Sequence, residues 1–485
     1  MAQGHGDRLS ALDAAFLRLE TRAEHMHTCG LFVFHAVKGV EFDFQRFLDV
    51  VRSRLHLVPR FRQKLAFTPF NLSTPIWIDD DEFDLGFHVR HAALPRPGRM
   101  DQLMDYVGRL VSRQLDRDRP LWEIYVIEGL EEGRTAYLGK THHAMIDGVT
   151  GIDIATLLLD YDRDASAVIP DPPPWHAAPR PSDASLAWSA VRDQLLAPRS
   201  VVDNLQRLVE TPRVALGRAL RLGQSLASMA SATVAPGPAS ALNQQNGVFR
   251  RVAIQRLALD DVKRVKDTYD TTVNDVVLAI VGDAVGRFLR SRGEQTRGLE
   301  LRVMVPVSVR ADEDDTIFGN RVSSVFVRLP VDEMDPTERL AGIHEAMKDV
   351  KDRQHAVGAD FLVDLSAYAP PTIHALAARV TARTRLYNFV VTNVPGPQVP
   401  LYSMGMRLLG AFPILPLAQN HSFAVGVTSI DGWLNFGFTG DWDALPDLEN
   451  ITVELADSLR ELVKHAEAAH SRTELARKRT PTPDR

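Results

Sequence analysis

Short apolar runs alternate with amphipathic stretches along the first third of the chain. The runs at residues 31–34, 125–127 and 136–138 have the length and composition of buried strands. Residues 44–55, 100–115 and 149–161 instead repeat apolar positions every three or four residues, which predicts helices. This alternation predicts an α/β fold, and a second segment of the same kind runs from about residue 250 to residue 469.

The two α/β segments are separated by a region of different composition. Six of the twelve residues from 170 to 181 are proline, which predicts an extended linker. Residues 185–232 have a basic amphipathic helical pattern, which fits either packing on the protein's own domains or contact with an anionic lipid surface. We therefore predict a first domain over 1–165, a linker with a helical connector over 166–248, a second domain over 249–470 and a disordered tail over 471–485.

Composition and charge exclude several classes of protein. The chain has 485 residues, of which 45% are hydrophobic and 24% charged, and its net charge is −6, which argues against a general nucleic-acid binder. Cys29 is the only cysteine, so no internal disulfide can form and a reducing cytoplasm is expected. No window approaches 18 continuous apolar residues, so any membrane contact is expected to be peripheral.

The motif His142-His143-x-x-x-Asp147-Gly148 carries the strongest chemical signal. Imidazole, with an ordinary pKa near 6.5, is the side chain best suited to take a proton at neutral pH, and Gly148 leaves an approach to it open. Neighbouring residues on a strand point to opposite sides, so the two histidines are expected to have different roles. A buried structural histidine is the alternative, and a metal site is disfavoured because adjacent strand residues diverge.

This motif is the signature of CoA-dependent acyltransferases and peptide-condensing domains, and further segments narrow the resemblance. The chain resembles the bacterial wax ester synthase/acyl-CoA:diacylglycerol acyltransferase (WS/DGAT) family from about Leu9 to Glu449. The matching segments are, in order, residues 9–17 (LSALDAAFL), 59–65 (PRFRQKL), 119–123 (RPLWE), 142–148 (HHAMIDG), 272–278 (TVNDVVL), 305–310 (VPVSVR), 319–323 (GNRVS) and 393–397 (NVPGP). The chain departs from the family pattern at residues 429–432 (SIDG) and 419–423 (QNHSF), which leaves the choice of acceptor open.

The resemblance implies two chloramphenicol-acetyltransferase-like domains, each a mixed sheet with helices, with a tunnel between them. Acyl-CoA and a lipid alcohol would meet there at His143, the general base, to give triacylglycerol from diacylglycerol or a wax ester from a fatty alcohol. His142 is expected to be structural and Asp147 to hold the loop. Acyl-CoA is then a substrate, with no cofactor, no metal and no nucleic-acid partner, and the location is cytoplasmic, with peripheral contact with the inner membrane face or lipid droplets.

Five further residues are candidates for supporting or substrate-shaping roles. Asn274 and Asp275 either cap a helix or shape the site opposite His143. Trp122 fits the core better than an acyl channel. Arg310 and Asn320 either bind CoA phosphates or brace the loop near Asp147. Residues 393–397 are expected to form a rigid turn that locks the domains.

Two other functions remain compatible with the sequence. The first is a condensation-type acyltransferase that uses carrier-protein thioesters, which the absence of flanking carrier domains disfavours. The second is a non-catalytic lipid-binding protein at membrane or lipid-droplet surfaces, which the intact His143, Asp147 and Gly148 disfavour.

Overall fold

The described part of the chain forms two six-stranded sheets, with helices packed on them, and a two-stranded sheet of residues 63–66 and 76–79. The computed structural model describes residues 7–37, 39, 41–68, 73–145, 154–182, 184–188, 237–308, 322–356 and 386–479. The helices are α1 (Ala11–Leu19), α2 (Phe44–Arg54), α3 (Leu85–His88), α4 (Met100–Val111), α5 (Ile154–Leu158), α6 (Leu259–Tyr269), α7 (Val273–Ser291), α8 (Pro336–Ala356) and α9 (Asn450–Arg479). The strands are β1 (His27–Phe34), β2 (Gln63–Ala66), β3 (Ile76–Asp79), β4 (Val89–Ala93), β5 (Trp122–Glu128), β6 (Thr135–His142), β7 (Arg250–Ala258), β8 (Glu300–Ser308), β9 (Val322–Pro330), β10 (Phe389–Pro395), β11 (Tyr402–Ser403), β12 (Met406–Ile414), β13 (Phe423–Ile430) and β14 (Trp433–Asp441).

The first sheet has the strand order β11-β12-β1-β6-β5-β4 and is covered on both faces. β6 lies between β1 and β5, antiparallel to both, and all eight of its residues are buried. On one face, Leu103, Val107 and Leu110 of α4 occur at helical spacing and pack on the sheet. The other face carries a second apolar cluster that includes Phe47 of α2 and Tyr137 of β6. Burial on both faces explains why the strands near residues 31 and 136 appear in the sequence as continuous apolar runs.

The second sheet has the order β7-β14-β13-β10-β8-β9 and forms the core of the second half. β10 runs parallel to both β8 and β13, whereas the other pairs are antiparallel, so this sheet is mixed like the first. Helix α7 is buried along most of its length, which agrees with its nearly continuous apolar sequence. The structure therefore confirms the predicted α/β class with two mixed sheets.

Two strands of the second half belong to the first sheet. β12 pairs antiparallel with β1 from Cys29 opposite Ile414 onward, and β11 pairs with β12. β12 also packs closely against β13 and β14, where a side chain at Gly437 would lie 1.9 Å from the carbonyl oxygen of Pro413. The two halves are thus joined through the strand pairing of β12.

Three predictions of local structure can be compared with these elements. The turn expected at residues 393–397 is wrong over its first half, because β10 continues to Pro395; a proline is tolerated at the end of a strand. Helix α9 differs from the disordered tail expected from residue 471, since it runs to Arg479 through a stretch rich in helix-forming Leu, Ala, Lys and Arg. The helical connector predicted at 185–232 lies, from residue 189 onward, outside the described residues.

None of the described helices is long and apolar enough to span a membrane.

Candidate active site

The His pair lies where β6 ends in the middle of the first sheet. His142 is the last residue of β6, and His143 begins a single 3₁₀ turn that runs to Met145. The backbone N–H of His142 donates to the carbonyl oxygen of Leu121 at 2.9 Å, and that of His143 donates to Met26 at 2.7 Å. Leu121 and Met26 immediately precede β5 and β1. The pair is therefore fixed by hydrogen bonds to both neighbours of the central strand.

His142 is almost fully buried and contacts the backbone of the turn. Its Nδ1 accepts a hydrogen bond from the N–H of Ala144 at 3.0 Å. A nitrogen that accepts cannot carry the proton, so the neutral ring is protonated on Nε2. That Nε2 lies 3.3 Å from Oε1 of Glu20, at an oblique angle. These contacts are those of a side chain that holds the turn.

His143 is the more accessible member of the pair. It is half-buried, and its ring lies on Phe16 of α1 with the two ring centroids 4.1 Å apart. Burial lowers the pKa of His143 below its ordinary value of 6.5. The imidazole of His143 is consequently unprotonated at neutral pH, the state that a general base requires.

A buried carboxylate next to the pair was not predicted from the sequence. Oε1 of Glu20 accepts the backbone N–H of Met26 at 3.1 Å and lies 3.2 Å from Nε2 of His27. Oε2 of Glu20 accepts from Nη2 of Arg117 at 2.5 Å. Burial raises the pKa of the Glu20 carboxyl, but the close rings of His142 and His27 and the hydrogen bonds from Arg117 outweigh it and hold the pKa well below its usual range.

His27 completes this buried polar group. It is the register partner of His142 across β1 and β6, and burial lowers the pKa of His27 to about 3. The sequence gives only a weak signal for the group, because Glu20 and His25 lie in the mostly polar segment between α1 and β1, and His27 begins the apolar strand that follows. That signal identifies polar residues but not their partners.

Four of the predicted site residues lie outside the described residues. They are Asp147 and Gly148, which follow the turn in sequence, and Arg310 and Asn320, which lie between β8 and β9 in sequence. Their predicted roles remain predictions. The tunnel between the two halves also remains a prediction, since residues 146–153, which follow the His pair, are outside the described residues.

Asn274 and Asp275 occupy the first turn of α7. Asp275 forms a capping box with Thr272, whose N–H donates to Oδ2 of Asp275 at 2.9 Å, and the same oxygen lies 2.8 Å from Nδ1 of His344. The contacts of Asp275 are those of a helix cap. Oδ1 of Asn274 accepts from Nδ2 of Asn393 at 3.5 Å, which brings two of the family-like segments together.

Trp122 lies in the core of the first half. It is fully buried, its indole N–H donates to the carbonyl oxygen of Phe61 at 2.8 Å, and its ring stacks on His88 with centroids 4.6 Å apart. This position agrees with the core alternative for Trp122.

One cavity on the described part of the chain is remote from the His pair. It measures about 550 Å³ and is lined by residues that include Phe42, Arg46, Thr135 and Met406. Thr135 is the first residue of β6 and His142 the last, so the cavity lies roughly 25 Å from the pair along the strand.

The structure also describes Cys29 and the side chains that could bind a metal ion. Burial raises the pKa of Cys29 to about 12, so its thiol stays protonated. Within the described ranges, no group of three or more His, Cys, Asp and Glu side chains is arranged to hold a metal ion.

Comparison with known proteins identifies relatives over nearly the whole chain. Residues 9–277 match the wax ester synthase/diacylglycerol acyltransferase catalytic domain, and residues 318–463 match the WS/DGAT C-terminal domain. The Mycobacterium tuberculosis protein named "Probable diacyglycerol O-acyltransferase tgs1" is 34% identical over 462 residues, which cover 94% of this chain and 96% of that protein.

Solved structures agree with this result. The wax ester synthase/diacylglycerol acyltransferase from Marinobacter aquaeolei VT8 matches with a TM-score of 0.69 and 28% identity, over 95% of this chain and 99% of the other. The starter condensation domain of rhizomide synthetase, in complex with C8-CoA and Leu-SNAC, matches with a TM-score of 0.55 and 14% identity, over 95% and 94% of the two chains. At that identity the second match shows a shared two-domain fold only.

Proposed function

Because the chain belongs to the wax ester synthase/diacylglycerol acyltransferase family, we propose that it transfers a fatty acyl group from acyl-CoA to the free hydroxyl of diacylglycerol, with His143 as the general base. Long-chain alcohols are a second class of acceptor, which would give wax esters. The observation that carries the assignment of the base is the difference in exposure within the His pair. His142 is 1% exposed and engaged with the turn, whereas His143 is half-buried beside Phe16.

The proposed reaction needs one base that acts twice. The unprotonated imidazole of His143 takes the proton of the acceptor hydroxyl while the oxygen attacks the thioester carbonyl carbon. Collapse of the tetrahedral intermediate breaks the C–S bond, and the imidazolium returns the proton to the CoA thiolate. The products are one ester and free CoA, so the transfer consumes no other reagent.

The burial of the two ring nitrogens of His143 indicates which of them takes the proton of the acceptor hydroxyl. Nδ1 of His143 is buried, so the substrate hydroxyl is expected at Nε2. The ring of Phe16 covers one side of the imidazole and excludes water from it, which favours transfer to an alcohol over hydrolysis of the thioester.

The proposal is tested by measuring both products with purified protein. Palmitoyl-CoA is offered with diolein or with hexadecanol, and CoA release and ester formation are followed separately. We expect equal amounts of both products from the wild type with diolein and at least a 10²-fold lower rate for His143→Ala. His91→Ala is the matched control, because His91 lies on the edge strand β4 of the same sheet and pairs with Glu128 away from the site.

Donor and acceptor controls separate the other functions. Ester formation from palmitoyl carrier protein but not from palmitoyl-CoA would indicate a condensation-type enzyme. Binding of the wild type to diolein-containing vesicles without CoA release from either acceptor would indicate a non-catalytic lipid-binding protein. Unchanged rates after dialysis against EDTA are expected, since the proposed step uses no metal or cofactor. In a flotation assay, protein from the cytoplasmic fraction that partly co-migrates with anionic vesicles would support a peripheral membrane location.

A further inference from the structure

Two residues hold the backbone around His143 by hydrogen bonds, Met26 and His142, and Glu20 lies next to both. The first route passes through Met26, whose N–H donates to Oε1 of Glu20 at 3.1 Å and whose carbonyl oxygen accepts the N–H of His143 at 2.7 Å. The second passes through His142, whose Nε2 faces the same carboxylate oxygen at 3.3 Å and whose Nδ1 accepts the N–H of Ala144. The residues on both sides of the His143 Cα are thus connected to one side chain.

The charge of Glu20 matters for the second route. A carboxylate can only accept, so it favours the tautomer of His142 that carries the proton on Nε2. In the other tautomer, Nδ1 would carry a hydrogen that opposes the N–H of Ala144, and the turn would lose that hydrogen bond. His27 faces the same oxygen at 3.2 Å and needs the same acceptor.

The surroundings of Glu20 are built to keep it ionised. Its side chain is 1% exposed, and Arg117 donates to Oε2 from both Nη2 and Nε. The guanidinium of Arg117 also donates to the carbonyl oxygen of Leu17 at 2.8 Å, which ties it to the last turns of α1. A buried carboxylate with this many donors is strongly held in one position.

We propose that Glu20 is a positioning residue for His143, acting through the tautomer of His142 and the backbone of Met26. The proposal rests on the role of His143 as general base. Glu20 does not contact a substrate in this scheme; it fixes the turn so that the imidazole of His143 keeps one orientation. Loss of the carboxylate should therefore reduce kcat and leave KM for the acyl donor nearly unchanged.

The central test uses Glu20→Gln, which keeps the size of the side chain and an oxygen for Met26 but removes the charge. We expect kcat to fall about 10- to 100-fold, with KM for palmitoyl-CoA within about twofold of the wild type. Asp283→Asn is the matched control, since Asp283 is a buried carboxylate held by Arg287 and Arg339 in the second half of the chain. For Asp283→Asn we expect a loss of thermal stability equal to that of Glu20→Gln, with unchanged kcat. Equal kcat losses in the two variants would overturn the proposal.

The route through His142 is tested by a double-mutant cycle. In His142→Asn the side-chain oxygen replaces Nδ1 as acceptor for Ala144 and no tautomer remains to be fixed. Glu20→Gln is therefore expected to cost less than threefold in kcat in this background. An undiminished loss in the double mutant would show that Glu20 acts without His142 and would contradict the proposal.

A chemical readout keeps the result independent of turnover. The rate at which diethyl pyrocarbonate modifies His143, followed by peptide mass spectrometry, is expected to change at least threefold in Glu20→Gln and to stay constant in Asp283→Asn. An unchanged rate would overturn the positioning role. If the wild type forms no ester but this difference is found, the proposed function fails while the positioning of His143 by Glu20 stands.

Discussion

The imidazole of His143 lies on the phenyl ring of Phe16, with ring centroids 4.1 Å apart and ring planes 32° from parallel. Phe16 belongs to α1, and Glu20 follows directly after that helix. The first helix of the chain therefore places an apolar ring on one side of the His pair and a carboxylate next to its buried member. This arrangement makes the N-terminal segment part of the candidate site, although the His142-His143 motif is more than a hundred residues away in sequence.

The first prediction concerns the acid limb of the pH–rate profile. The pKa of His143 is lowered from its ordinary value of 6.5, mainly by burial, so the unprotonated base persists to lower pH. The midpoint of the acid limb of kcat/KM for palmitoyl-CoA should therefore lie below pH 6.5. An acid limb with a midpoint at or above 6.5, in protein that remains folded, would contradict the assigned state of His143.

The second prediction uses the ring of Phe16. In Phe16→Ala, water reaches the imidazole, so the pKa of His143 should rise towards 6.5 and the acid limb should move to higher pH. The shift is measured in the same pH–rate experiment. Phe44→Ala is the matched control, since Phe44 stacks on His91 with centroids 4.5 Å apart on the edge strand. The control should leave the acid limb in place.

The third prediction is acid destabilisation caused by His27. Burial lowers the pKa of His27 to about 3 in the folded protein, while in the unfolded chain it is near 6.5. Between these values the unfolded state binds the extra proton, so the free energy of unfolding falls as pH falls from about 6.5 to 3, by on the order of a few kcal/mol. Its full contribution is present above pH 6.5.

The variant His27→Gln tests whether His27 makes the free energy of unfolding fall as the pH falls. The amide can still donate towards Glu20, but it does not titrate. Urea unfolding midpoints measured from pH 7 to pH 5 should therefore decrease less steeply for the variant than for the wild type. Equal slopes would show that His27 does not contribute to the pH dependence.

Much of the fold follows from local sequence patterns. The apolar runs near residues 31, 125 and 136 coincide with β1, β5 and β6, and the amphipathic stretches near 44 and 100 coincide with α2 and α4. The helices are buried on the face that their own periodicity identifies, whereas the strands are buried on both faces, as their continuous apolar runs indicate. The proline-rich segment lies between β6 and β7 in sequence, but β11 and β12, which follow it, join the first sheet.

Other features depend on partners far apart in sequence. The pairing of β12 with β1 joins residues nearly four hundred positions apart, and no local period indicates to which sheet β12 belongs. Glu20 is similar, because its partners His27, Arg117 and His142 come from three separate segments. The motif alone therefore predicts the base, whereas the buried group that holds it requires the three-dimensional structure.

The fourth prediction concerns the joint between the two halves. Gly437 of β14 faces the backbone of Pro413 in β12, and a methyl group at this position would lie 1.9 Å from the carbonyl oxygen of Pro413. Because a backbone carbonyl cannot rotate away as a side chain can, Gly437→Ala should lower the free energy of unfolding by about 2–3 kcal/mol. Gly342→Ala is the matched control, since Gly342 lies on an exposed face of α8 with open space around it. Gly342→Ala should raise the free energy of unfolding by about 0.5–1 kcal/mol. Urea unfolding of both variants, followed by hydrogen–deuterium exchange of peptides from each of the two sheets, distinguishes the outcomes. Because β12 is a strand of the first sheet that packs on the second, the loss in Gly437→Ala should appear in both halves together. A transition that moves in only one half would show that β12 does not couple them.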